Sequence, residues 1–326
     1  MSLARGQDNV AVTYRPPRHA ELADCALVWY SAVDDYMARL NRPLPSPYLD
    51  PLLTMLEHLL ATDPERFLVA VRSGDAASAR SRDQVIGFGI AAQREHVWYL
   101  SQLYVLPHEQ GHGIGRALLT QILPSEAADP RPGVLAMCTD SAQPVSNGLY
   151  ARYGIVPRMP VFNLVGSPNP SALSRLPAGI EAVAFGRSDP SAAAPAIAAA
   201  IDAIDRAVLG YAHPVDHAHL RATGRTGFIY RFDDDEPVGY GYSSEVGRFG
   251  PVALLDETLT APVLGHLMNA IRPRGATSAW VPGANDRAMV ALLRAGLRIE
   301  GFPALLCWSR PFARFECYLP ASLALL

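Results

Sequence analysis

The stretch Leu103-Tyr-Val-Leu-Pro-His-Glu-Gln-Gly-His-Gly-Ile-Gly-Arg-Ala-Leu-Leu119 runs from an apolar strand through a glycine-rich loop directly into a helix. This order of elements binds anions. Gly111, Gly113 and Gly115 let the backbone approach a ligand closely and take φ values that other residues resist, while the first amides of the next helix point outward without a partner. A pyrophosphate suits such a cradle. Ile114, Ala117, Leu118 and Ile122 recur at helical spacing, so one face of the helix can pack on a sheet while its N-terminus meets the ligand.

Three other motifs compete for the same residues. A dinucleotide fingerprint G-x-G-x-x-G begun at Gly111 or Gly113 needs its third glycine where Arg116 or Leu118 stands, and a phosphate loop needs glycine and lysine at Arg116 and Ala117. Neither pattern is met. His108-Glu109-Gln110-Gly111-His112 is a literal H-E-x-x-H, which binds zinc only when both histidines share one helical face. Pro107 precedes the run, and Gly111 and Gly113 each cost a helix about 1 kcal/mol relative to alanine, so a loop is favoured and no metal is expected here.

Gln110-x-x-Gly113-x-Gly115, set after Leu103-Tyr-Val-Leu-Pro107 and before Arg116-Ala-Leu-Leu119, resembles the acetyl-coenzyme A signature of the GNAT N-acetyltransferase superfamily, Q/R-x-x-G-x-G/A. Leu149-Tyr-Ala-Arg-Tyr-Gly-Ile155 resembles the second GNAT element, L-Y-x-x-x-G-F, at the expected distance. The resemblance implies an α/β fold of the α+β mixed-sheet kind, splayed between its fourth and fifth strands where a pantetheine arm enters. It implies acetyl-CoA as cosubstrate, bound through Leu103, Tyr104, Val105, Gln110, Gly111, His112, Gly113, Ile114, Gly115 and Arg116, and Tyr150 as the general acid.

The second half repeats part of the first. Val134 to Ile155 reads strand, Asp140, then a helix carrying Gln143, Ser146, Tyr150, Gly154 and Ile155; Ala276 to Leu297 reads strand, Pro282-Gly283, then Asn285, Ala288, Leu292, Gly296 and Leu297 at the same offsets. Leu292 cannot donate a proton where Tyr150 can. Upstream, Pro251-Val-Ala-Leu-Leu255 leads into Asp256-Glu-Thr-Leu-Thr-Ala-Pro262 with no glycine loop, and the acidic pair makes a poor anion cradle. The expectation is therefore two tandem GNAT-like acyltransferase domains: a catalytic domain over 1–165, a linker of turn formers over 166–179, and a degenerate domain over 180–326 that lacks the pyrophosphate loop. Hairpins are expected at Phe67–Val71 with Val85–Ala91, across the polar loop Ser73–Asp83, and at Phe228–Phe232 with Val238–Tyr242, across Asp233–Pro237. Ala192 to Leu209 suits a buried helix, and the strand near Val252–Leu255 and the segment Leu319–Leu326 could serve a subunit interface or a pocket wall.

Composition bounds the rest. The 326 residues fit two domains, and an apolar fraction of 49% supplies core for both. A formal net charge of −3 gives no basic surplus, so no nucleic-acid partner is expected. No run of about twenty apolar residues and no charged-then-apolar leader is present, so no membrane partner is expected and the cytoplasm is the default. Cys25, Cys138, Cys307 and Cys317 lack paired metal spacing and read as reduced buried thiols, Cys138 alone lying on a strand that could approach the cofactor thiol.

The chemistry such a site implies is acetyl transfer from a thioester to an amine of a small molecule or peptide, in a monomer or homodimer. The amine sheds a proton and the departing sulfur gains one. Gln143 departs from the family's usual asparagine and is given no catalytic duty. The base is not assigned: the family often carries a glutamate on its fourth strand, where this chain has Tyr99-Leu-Ser-Gln-Leu103, and Glu95 and His96 upstream are either water-mediated bases or solvent residues of a hairpin end. Trp29, Tyr30, Asp34, Asp35, Tyr36, Tyr48 and Asp50 fall in the acceptor region, where they either receive a cationic amine or simply fill core and face water. The missing glutamate keeps open a non-catalytic acyl-CoA sensor, and H-E-x-x-H a zinc hydrolase.

Overall fold

The computed structural model describes residues 11–42, 44–73, 83–124, 133–186, 194–232 and 235–326. Most of the expected polar loop (74–82), the start of the expected buried helix (192–193) and part of the second hairpin turn (233–234) lie outside the described residues. The chain forms two compact units, one of Met1–Ala92 with Leu100–Arg131 and one of Gln93–Tyr99 with Pro132–Leu326.

The first unit contains β1 (Val12–Arg15), α1 (Leu22–Arg39), α2 (Asp50–Thr62), β2 (Phe67–Arg72), most of β3 (Gln84–Arg94), the latter part of β4 (Val97–Val105) and α3 (Ile114–Ile122), with strand order β1-β2-β3-β4. The expected hairpin is present: β2 and β3 pair antiparallel, Phe67 opposite Ile90, with a register shift at Ala70/Val71. In α2, Leu52, Leu56 and Leu59 bury one face at helical spacing, and Pro51 stands at the start, where its missing N–H costs nothing. In α3 the buried face is Ile114, Leu118, Leu119 and Ile122. Two strand glycines set how closely that helix sits on the sheet. A Cβ on Gly89 would stand 3.2 Å from Ile122 and Leu103 side-chain carbons, and one on Gly87 3.0 Å from the Tyr104 carbonyl.

The second unit contains β5 (Val134–Asp140), α4 (Pro144–Ala151), β6 (Val156–Gly166), β7 (Ile180–Phe185), α5 (Ala194–Val208), α6 (Pro214–Ala222), β8 (Thr226–Phe232), β9 (Pro237–Ser243), β10 (Val252–Leu254), α7 (Thr260–Ala270), β11 (Thr277–Pro282), α8 (Asp286–Arg294), β12 (Arg298–Ile299), β13 (Ala304–Trp308) and β14 (Tyr318–Leu319). One sheet has the order β14-β10-β9-β8-β7 and includes the second expected hairpin, β8 with β9. In the other, β5-β13-β6-β11, all three pairings are antiparallel.

That second order is a strand exchange. β5 with α4 and β11 with α8 are the two copies of the repeat, and each is followed by its own strand, β6 and β13. Yet β5 neighbours β13, β6 stands between β13 and β11, and reading the order backwards interchanges the copies. The repeat is also visible in backbone detail. Gly154 and Gly296 both adopt positive φ, +75° and +94°, just past their helices, and the next amides, Ile155 and Leu297, return to the carbonyls of Tyr150 and Leu292 at 3.2 and 3.0 Å.

Residues 166–179 are not a free tether. A Cβ on Gly166 would stand 2.9 Å from Leu297 Cα, the Asn169 amide donates to the Ala295 carbonyl at 2.8 Å, and Leu173 and Leu176 pack on the core around α7 and α8. Val252–Leu254 and Leu319 are likewise interior, β10 lying between β9 and β14, so this apolar strand covers core rather than offering an interface. Among the described residues no helix is long and apolar enough to cross a membrane.

Candidate functional site

After β4 the chain makes a short 3-10 turn at Pro107–Glu109, passes an extended Gln110, and reaches Gly111 and Gly113 at φ +83° and +82° before α3 begins. Both glycines are exposed, and a Cβ at Gly111 would meet nothing within 4 Å. The first intrahelical backbone bond of this helix is Ala117 N–H to Gly113 C=O at 2.9 Å, so the amides of Ile114, Gly115 and Arg116 form its open N-terminus. Ile114 is buried under the sheet, which aims that terminus outward. Arg116 adds a cation: its Nη2 lies 3.9 Å from where a Cβ on Gly113 would stand. Exposed amides, space above the glycines and an adjacent guanidinium fit a pyrophosphate.

The loop is braced at both ends. Gln110 donates from Nε2 to the Val105 carbonyl at 3.0 Å, tying the loop to the strand it leaves. Glu109, only 3% exposed, is gripped by both terminal nitrogens of Arg72 from β2, and its own carbonyl lies 3.2 Å from His112 Nδ1. This geometry disposes of the zinc hydrolase: with a 3-10 turn, an extended Gln110 and a left-handed Gly111, His108 and His112 do not share a helical face, and Glu109 is committed to Arg72.

Of the expected site residues, Leu103, Tyr104, Val105, Gln110, Gly111, His112, Gly113, Ile114, Gly115 and Arg116 therefore fall together on one strand, loop and helix start of the first unit. The half-buried Tyr104 ring meets Trp29 edge-on at 6.4 Å and Phe88 at 5.9 Å, joining the aromatic residue expected of the acceptor region to this strand. The acceptor-region carboxylates are engaged locally: Asp34 accepts from the Leu44 amide at 3.1 Å and Asp35 pairs with Arg39 one helical turn on. Tyr150 belongs to the second unit, 5% exposed in the last turn of α4.

Glu95 is an exposed residue of the hairpin end, as expected, and its carboxylate accepts from Arg206 at 2.9 and 3.0 Å and from the Ala212 amide at 3.3 Å. Cys138 is a free, half-buried thiol beside the Tyr99 and Cys307 side chains, and burial pushes its pKa well up. In the second copy, the helix after β10 opens with Asp256 accepting from the Thr258 amide at 2.8 Å. A carboxylate occupies the place an anion would take, as the missing glycine loop led one to expect.

Some residues escape a reading by motif. Gln102 on β4 is 6% exposed with Oε1 lacking a hydrogen bond, and Ser101 Oγ beside it is likewise buried and unpaired. Arg72 has no sequence signal as the partner of Glu109. In the second unit Asp205, His213 and His217 form a buried cluster, for which the only advance sign was an aspartate inside an Ala/Ile-rich helix and a His-x-x-x-His spacing after it.

Comparison with known proteins agrees with this architecture. Residues 33–155 match the family model described as the Acetyltransferase (GNAT) family. A candidate acetyltransferase of Pyrococcus horikoshii superposes with a TM-score of 0.70 at 15% identity, covering 98% of this chain and 99% of that one. A GCN5-related N-acetyltransferase from Sphaerobacter thermophilus gives 0.57 at 15% identity over 92% and 96% of the two chains, and a tandem GNAT protein from the clavulanic acid biosynthesis pathway gives 0.53 at 15% over 92% and 99%. No curated protein matches the sequence. The match to the GNAT acetyltransferase family is thus to residues 33–155, and along nearly its whole length the chain has the fold seen in these neighbours, a tandem GNAT protein among them.

Proposed function

We propose that this protein is an acetyl-CoA-dependent N-acetyltransferase acting on an amine of a small molecule or peptide. The observation that carries the reading is the loop Gln110–Gly115, where two exposed glycines in the left-handed region open onto the free amides of α3 beside Arg116. The pyrophosphate would sit on these amides and the pantetheine arm along Leu103–Val105. Acetyl-CoA supplies the activated thioester. The acceptor nitrogen attacks its carbonyl carbon, the C–N bond forms as the C–S bond breaks, and the departing sulfur takes a proton from Tyr150, which recovers it from solvent. A thiol pKa of about 8.5 against a phenol near 10 makes this transfer dependent on local help. With no carboxylate in Val97–Val105, the amine proton leaves through water. The covalent halves 1–165 and 180–326 are then a catalytic copy and a degenerate copy that has Leu292 where the first has Tyr150. Four free cysteines fit the cytoplasm.

Calorimetric titration with acetyl-CoA, beside Gly113→Asp, tests the site. Aspartate is among the side chains best tolerated at positive φ, so the variant keeps the loop while placing a negative charge in the cradle. About one equivalent should bind the unmodified chain, with affinity at least tenfold weaker in a variant of unchanged melting temperature. No binding by the unmodified chain refutes the reading. The empty carboxylate position on β4 favours one rival, an acyl-CoA sensor. Tyr150→Phe separates the two, since it lowers turnover with cofactor affinity intact in an enzyme and changes little in a sensor.

A further inference from the structure

The buried cluster in the second unit has no part in this chemistry. Asp205 comes from the last turns of α5, His213 is the residue before α6, and His217 lies one helical turn further on; they are 0%, 3% and 2% exposed. Asp205 Oδ2 stands 2.9 Å from His217 Nε2 and 3.3 Å from His213 Nε2, the two imidazole centroids are 4.3 Å apart, and one potential ligand atom from each residue lies within 4.8 Å of the others. Two bonds of about 2.0–2.1 Å from a tetrahedral zinc ion separate neighbouring ligand atoms by roughly 3.3 Å, against 2.9 and 3.3 Å from Asp205 Oδ2 to the two imidazoles.

The far side of each residue is also occupied in the manner of a metal ligand. Asp205 Oδ1 accepts from the Tyr240 hydroxyl at 2.6 Å, His217 Nδ1 is 3.0 Å from the Tyr242 hydroxyl, and His213 Nδ1 faces Asp216 Oδ2 at 3.6 Å. Asp216 is itself fixed by Arg94, which donates from Nε at 2.7 Å and Nη2 at 2.8 Å. Such outer partners orient ligands and set which ring nitrogen is free. His213 supplies a separate sign. Both of its nitrogens are buried without a hydrogen bond, although carboxylate oxygens stand close, so the ring is packed among charges but not aligned to donate to them.

We propose that Asp205, His213 and His217 bind a divalent transition-metal ion, zinc fitting best, through Asp205 Oδ2 and the Nε2 atoms of both histidines. Two borderline imidazoles and one hard carboxylate make a donor set that zinc accepts, and the three of them leave one tetrahedral position for a solvent molecule. Closed inside the core, the ion would tie α5 to α6 and act on stability rather than on acetyl transfer. Its rival is a proton. Burial disfavours an imidazolium on His213, but Asp205 and Asp216 outweigh it and push its pKa up to about 10, whereas burial and the neighbouring His213 hold His217 down.

The full-length protein, stripped with chelator and shown to remain folded by circular dichroism, is titrated with zinc chloride and separately with cobalt(II). The expected result is about one equivalent of either ion per chain, visible d–d bands of low-coordinate cobalt, and a raised melting temperature. Asp205→Asn and His217→Gln should abolish these signals, Tyr242→Phe should weaken affinity about 10- to 100-fold through the lost outer hydrogen bond, and His108→Ala should change nothing. If the ligand variants fail to fold, the unmodified protein decides, since absence of cobalt bands and of zinc uptake overturns the site. Uptake undiminished in folded Asp205→Asn also overturns it, as does uptake lost in His108→Ala.

Discussion

Gln102 is a single residue whose burial carries a cost in stability. Its Oε1 is buried on β4 without a partner, a state that costs about 1–3 kcal/mol against a hydrogen-bonded or solvated group. Leucine has a similar volume and no polar atom, so Gln102→Leu should leave the melting temperature unchanged or raise it while lowering acetyl transfer, a pairing expected if the oxygen orders a water or the acceptor amine. Thermal unfolding and initial rates on the same preparation check this; a lowered melting temperature with full turnover would assign Gln102 to packing instead. Such a residue could not be picked out beforehand, because burial of one side of a strand is invisible in Tyr99-Leu-Ser-Gln-Leu103. The glycines were legible for the opposite reason. Positive φ at Gly111 and Gly113 is a property of the residue type itself, and few others could stand there.

At the scale of elements, the proposed cofactor loop depends on how α3 meets the sheet. Gly89→Val would place two methyl groups where even one carbon stands 3.2 Å from Ile122 and Leu103, and should cost about 1–3 kcal/mol while weakening acetyl-CoA binding, as read by denaturant unfolding and calorimetry. Unaltered affinity in this variant would mean the cradle does not rely on that helix contact. The entry to α1 gives a pH-dependent case. Glu21 accepts from Arg15 at 2.7 and 2.8 Å and from the Arg18 side chain and amide at 2.6 and 2.7 Å. The hydrogen bonds from Arg15, opposed by burial and reinforced by Arg18, hold its carboxyl well below the usual range. A depressed folded pKa means that the stabilisation is complete above the unfolded value of about 4.3 and fades as pH falls below it. Glu21→Gln should therefore lose about 1–3 kcal/mol at neutral pH, and the gap in melting temperature should begin to narrow below about pH 4 and keep narrowing as the pH falls further. A gap of constant size across that range would mean that the glutamine itself, not the lost charge, is responsible.

For the whole molecule, the repeat was readable and its consequence was not. Asn285 and Gln143 begin matching helices, and Gly154 and Gly296 end them, all by local rules of spacing and turn chemistry. Ala304–Trp308 is a short, wholly apolar run, but nothing in five residues says that its neighbours are β5 and β6, the latter ending far upstream of it. Pairing of Ala304 with both Asp140 and Val161 is a fact of tertiary competition between two similar halves. Asp205 is close in sequence to His213 and His217, yet only the packing of α5 and α6 brings the three side chains together. Strand exchange makes each half incomplete: without β13, β5 and β6 lose the strand between them, and without β6, β11 and β13 lose theirs. Unpaired strand edges cost hydrogen bonds and invite aggregation. A chain cut between Ala178 and Gly179, where the segment is exposed enough to tolerate a break, should thus yield two fragments that are insoluble or non-cooperative when expressed singly and that form a stable, cooperatively unfolding complex when expressed together. Contacts this distant in sequence also close slowly, so refolding of the intact chain should lag well behind that of a local helical domain, and joining the fragments in trans should make the rate depend on concentration. Copurification after co-expression, followed by thermal unfolding, measures the effect. A monodisperse fragment 1–178 that unfolds cooperatively alone would show that the first half completes its sheet without the exchanged strand.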